Sequence, residues 1–213
     1  MEESLHLRRP VVGISFNPED SKHLPMFKHS VPSSYAFWTL AHHDTFTTRR
    51  EHHINCSIGS VTHGFRKGTE LDIGCGCDYV DLLVGSGWIS VEDVKNMPSI
   101  KHERKTVTYG PMRTIPFEPD IAVLFCSAEQ AMVISSCVPT KLVGRPACSG
   151  ISVSIDSDTV VISFGCTQSR LRAGYSPDEL VVFIPKNRLP ELVEKLRKMV
   201  KAEERIVAAL SHD

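Results

Sequence analysis

The chain has 213 residues, with 24 lysines and arginines against 25 aspartates and glutamates. That length buries a proper core without disulfide staples. The near-neutral balance, with no basic stripe interleaved with aromatics, argues against a nucleic-acid surface, and no apolar run approaches the ~20 residues that span a bilayer.

Residues 1 to 30 form an N-terminal extension containing a first strand, the short apolar run Val11 to Phe16, closed by a turn at Asn17-Pro18. No basic region precedes an apolar stretch in Met1 to Ser15, so a cytoplasmic location is expected. Ser33 to His42 fits a short amphipathic helix with Ser33 or Ser34 as its cap. In the segment from Asn55 to Phe65, Ile58, Val61 and Phe65 fall at helical spacing, with Asn55 as cap and Cys56 in the first turn. Glu70 to Val84 is apolar but broken at Gly74-Cys75-Gly76-Cys77, and stays open between one helix and two short elements. Val91 to Met97 suits a helix stopped by Pro98, and Lys105 to Ile115 an extended hairpin turning at Gly110-Pro111.

Asp120 to Cys126 is a continuous apolar run, the pattern of a strand covered on both faces. Ser127 caps the helix that follows, with Gln130 as capping-box partner. Gly144 to Cys148 opens another helix with Pro146 at its first position. Thr159 to Phe164 and Leu180 to Ile184 are strands, and apolar residues from Leu189 to Leu210 recur at three and four, making residues 187 to 211 one amphipathic helix packed on a sheet. The expectation is one domain over residues 1 to 213, of α/β or α+β class, with a central sheet.

Seven cysteines, an odd number at scattered spacing, do not form the pattern of a secreted disulfide framework. Free cysteine most often packs in a core, and Cys126 and Cys137 are read that way. Cys56 and Cys148 stand at expected helix starts, and Cys166 follows a strand through Gly165, places where unpaired N–H groups favour a thiolate. A thiolate is both a metal ligand and a nucleophile. Cys75 and Cys77, two apart, share a face of an extended segment and are candidate further ligands. Arg170, four residues after Cys166, could hold an anionic substrate or the charge of a cluster, with a surface ion pair as the alternative. The histidines His42, His43, His52, His53 and His63 are read as surface or capping residues, with a metal shared between His53 and Cys56 as the alternative. No phosphate-binding loop, dinucleotide fingerprint or serine-nucleophile motif is present.

These residues carry a family resemblance. Asn55-Cys56-x-x-Gly59 with Gly64-Phe65, the run Asp120 to Met132, Ala147-Cys148, Gly165-Cys166-x-x-x-Arg170 and Asp178 to Pro185 resemble domain-of-unknown-function family 169, of archaea and anaerobic bacteria, over roughly residues 30 to 200. The resemblance implies that Cys56, Cys148 and Cys166 are family cysteine positions, which favours their acting together without implying a reaction. Some relatives carry a further cysteine near Tyr35 or Ala36, which this chain lacks. Three cysteines without a fourth fit an open iron–sulfur cluster, the leading reading, with a redox or substrate-binding role alongside a small molecule or electron-transfer partner. The alternatives are a zinc or small-ligand regulatory module and a thiol-based transferase. Self-association is left open.

Overall fold

The computed structural model describes residues 1–17, 19, 22–76, 79–101 and 105–211, the side chains of residues 168 and 169 excepted. Among these, strands β1 (Val12–Ser15), β2 (Phe46–Thr48), β3 (Val107–Pro111), β4 (Ile121–Cys126), β5 (Thr140–Val143), β6 (Val160–Ser163) and β7 (Leu180–Pro185) form one sheet in the order β2-β3-β1-β4-β7-β6-β5. The helices are α1 (Ser34–Leu40), α2 (Ser57–Thr62), α3 (Tyr79–Gly85), α4 (Val91–Lys95), α5 (Ala128–Cys137), α6 (Ser149–Ser157), α7 (Thr167–Ala173) and α8 (Leu189–Leu210). Every strand pairing is antiparallel except β5 with β6, which are joined through α6 and run parallel.

The unbroken apolar runs follow from burial on both faces of this sheet. Along β4, Val123 and Phe125 join a core with Trp38, Val61, Ile151 and Phe183. The alternate residues Ala122, Leu124 and Cys126 face a second core with Ile134, Leu192 and Leu196. The period of two therefore sorts one strand between two layers of helices, α1, α2 and α6 on one side and α5 and α8 on the other. Cys126 and Cys137 belong to the second core, as packing thiols.

Capping chemistry sets several boundaries. Ser127 accepts the Gln130 N–H while the Gln130 side chain accepts the Ser127 N–H, and Ser90 and Asp93 form the same reciprocal pair at α4. Asn55 is not a cap: its amide donates to the Ser30 hydroxyl at 2.9 Å, and α2 begins after Cys56.

Two further expectations need correction, and one strand has no counterpart in the sequence reading. Gly110-Pro111 is not a hairpin turn but the end of β3, where Gly110 lies opposite Gly13 and Pro111 opposite Val12. A side chain at Gly110 would strike Thr45 and Ile115, so glycine serves close packing there, and proline is tolerated at a strand end. The edge strand β5 was hidden because Lys141 and Leu142 are exposed and its four residues alternate weakly. Pro146 is not a first helical residue: the Arg145–Pro146 peptide is cis and α6 starts three residues later, after Cys148.

Because β4, β5 and β6 point the same way, the chain leaves all three at one end of the sheet. The loops after β5 and β6 lead directly to Cys148 and Cys166. In α/β sheets such carboxyl ends are where ligand crevices form.

Candidate functional site

At that end of the sheet, Cys56, Cys148 and Cys166 line one pocket, together with Ser33, Ser34, Tyr35, Ile58, Tyr79, Leu83, Trp88, Pro146 and Thr167. As it stands the cavity has a volume of about 20 Å³, room for a water molecule, inside a cleft of about 400 Å³ counted out to the solvent, so the side chains that close it must part to admit anything larger. Each cysteine arrives by the same local device, as the residue immediately before a helix: α2 for Cys56, α6 for Cys148, α7 for Cys166. Chain separations of about ninety residues and more are thus closed by topology, which the sequence alone does not display.

The chemistry of these thiols differs from the sequence expectation. Burial pushes the Cys56 thiol up, outweighing its hydrogen bonds to the Ser34 and Gly59 backbone, and pushes Cys148 well above the ordinary thiol range, with Cys56 and Cys166 nearby adding to the effect. The helix starts do not counter this. At α6 the N–H groups of Ser149, Gly150 and Ile151 are already bonded to the carbonyls of Pro146, Ala147 and Cys148. Both side chains are therefore neutral thiols in an apolar wall, and Ser34 Oγ lies 3.9 Å from Cys56 Sγ.

The iron–sulfur reading is overturned by the arrangement of the ligating residues. Among the described residues no group of three or more His, Cys, Asp or Glu is arranged to hold a metal ion. Cys75 is disulfide-bonded and offers no free thiolate, and Cys77 lies outside the described residues. Nor does a thiol transferase find the low-pKa cysteine it requires at Cys56 or Cys148. Arg170 turns away from the role of an anion holder, since its guanidinium donates to the carbonyls of Phe164 and Ser176 and staples the turn around Gly165, whose φ is +81°.

The histidines also differ from expectation. His42, His52, His53 and His63 are buried, and only His43 of that set is exposed. His53 Nε2 pairs with the Thr48 hydroxyl at 3.0 Å, and His63 Nδ1 donates to the Gly59 carbonyl at 2.8 Å. The two rings lie 5.2 Å apart within the core behind α2.

One pocket residue does more than mark a helix start. Ser33 occupies the backbone position of a helix cap before α1, yet its hydroxyl caps nothing. It is 3% exposed and its oxygen has no hydrogen-bond partner. Tyr79 and Trp88 gave no separate signal, because the stretch around them has no clean period.

The model of domain-of-unknown-function family 169, described as uncharacterised ArCR, matches residues 1–195, a span that begins earlier than the resemblance read from the motifs. Over 63 residues the chain is 36% identical to tRNA wybutosine-synthesizing protein 4 of Eremothecium gossypii, a likeness covering 30% of this chain and 9% of that protein. A comparison with solved structures finds no significant match. Among the described residues no helix is long and apolar enough to cross a membrane.

Proposed function

The chain belongs to domain-of-unknown-function family 169, and on the geometry of its pocket we propose that it binds a small organic molecule without covalent chemistry, in the slot between the starts of α2, α6 and α7. The observation that carries this reading is the Ser33 hydroxyl, buried without a partner in a residue that lines the slot. An unsatisfied buried hydroxyl costs roughly 1–3 kcal/mol, a penalty that a ligand's polar atom would remove. The rest of the wall supports the same reading. Tyr35, Tyr79 and Trp88 supply aromatic surface, Ile58, Leu83 and Pro146 aliphatic surface, and the Cys56 and Cys148 thiols are uncharged. Ligand sites typically combine such an apolar lining with a few placed polar groups. The wybutosine-synthesizing relative adds no role here, since the likeness spans 9% of its length.

Thr167 is exposed at the first position of α7 and lines the mouth, so Thr167→Trp plugs the slot without entering the core. Ligand-observed NMR against a fragment library is expected to give saturable hits with the native chain that vanish in the plugged variant, at unchanged melting temperature. Hits that persist in Thr167→Trp would contradict the assignment.

A further inference from the structure

Resting on that reading, we propose that the ligand is an organic anion: a flat apolar body seated in the slot, with its charged head held at the rim by Arg145 and Arg172. The Arg145 guanidinium carbon lies 4.9 Å from the centroid of the Trp88 ring, and that of Arg172 lies 5.2 Å from the centroid of Tyr79. Both rings line the slot. The two cations are therefore tied to the pocket wall by cation–π contact, which orders each guanidinium while its N–H donors remain on offer.

Their pairing state sets them apart from other arginines of the chain. Arg9 is paired with Glu179, Arg113 with Glu2 and Arg188 with Asp158. Among the described residues neither Arg145 nor Arg172 has a carboxylate within ion-pair distance, and both are exposed. No aspartate or glutamate lines the slot among those residues, and its two fully enclosed thiols are neutral, so nothing in the wall repels a negative charge. An uncharged ligand would use the aromatic wall and leave two ordered cations idle. A ligand with a carboxylate or a phosphate monoester uses both, because either group accepts the fork of N–H donors that a guanidinium presents. The unpartnered Ser33 hydroxyl then serves a polar atom on the inserted body.

The test is ligand-observed NMR on the full chain with matched pairs of benzoate and benzamide, and of 2-naphthoate and 2-naphthamide, with phenyl phosphate to distinguish the two head groups. The native chain is expected to bind each acid more tightly than its amide, and raised salt should weaken only the acids. The double variant Arg145→Gln, Arg172→Gln gives up two exposed cation–π contacts and so should lose only a few degrees in melting temperature, and should keep its amide affinity while losing about fivefold to tenfold in acid affinity. Equal binding of acid and amide by the native chain, or undiminished acid binding by the double variant, overturns the anion assignment and leaves the pocket. Failure of every acid and amide to bind overturns the pocket reading itself.

Discussion

Lowering the pH from 8 towards 4 should destabilise the chain steeply, because its core holds neutral imidazoles. His53 and His63 are both 0% exposed. Burial pulls His63 from the ordinary 6.5 down to about 4 and His53 well below its usual range. Below pH 6.5 the unfolded chain takes up protons that the folded core refuses, so stability falls as pH falls, and for His63 the fall levels off only near pH 4. Each imidazole contributes a slope of ~1.4 kcal/mol per pH unit in that window, and the two together ~2.7. For His63 alone the full loss is about 3 kcal/mol, against the ~5–15 kcal/mol that a domain of this kind has in total. His42, also pulled down to about 4, adds to the slope, by less because its surroundings are more open to solvent screening. Urea unfolding followed by circular dichroism at pH steps from 8 to 4.5 measures the slope directly. His63→Gln should remove about one proton's worth of it. Constant stability between pH 7 and 5, or an unchanged slope in His63→Gln, would refute the burial argument.

Gly150→Ala would place its Cβ 2.3 Å from the ring of Phe183, itself fully buried, so the variant should lose ~1–3 kcal/mol in thermal or urea unfolding despite alanine's better helix propensity. Cys56 and Cys148 should resist alkylation by iodoacetamide at pH 7.5 in the folded chain and react on unfolding; peptide mass spectrometry that finds fast labelling of either would show that burial does not hold them as thiols. Arg9→Ala removes the 2.8 Å bond to Glu179 and the stacking on Tyr175, and should cost about 1–2 kcal/mol; a variant as stable as the native chain would show that solvent screens the pair out. Ser127→Ala, which breaks the reciprocal cap of α5, should cost about 1 kcal/mol, read from the midpoint of the urea transition.

The strands with strong patterns were legible because each depends on its own residues. Ile121 to Cys126 must be a doubly covered strand, and Leu192 and Leu196 must face a core, whatever surrounds them. β5 was not legible, since an edge strand with one neighbour carries too little apolar pattern, and neither was the role of Gly110, which is set by Thr45 and Ile115 packing against it. The cysteines show the same division. Their places before helices could be read locally to within a residue or two, whereas the pKa direction at Cys56 and Cys148 depends on how deeply other elements bury them. Arg170 was singled out for its spacing from Cys166, but its guanidinium is committed to carbonyls on both sides of its own helix. The contact of Arg145 with Trp88 was not legible because the two meet only through the fold.

A crystal structure of the chain soaked with saturating 2-naphthoate tests the central claim most directly. The expected result is ring density in the slot between Ser33, Cys56 and Cys148, with the carboxylate towards Arg145 and Arg172. An empty slot at saturation, or naphthoate bound only elsewhere on the surface, would contradict it.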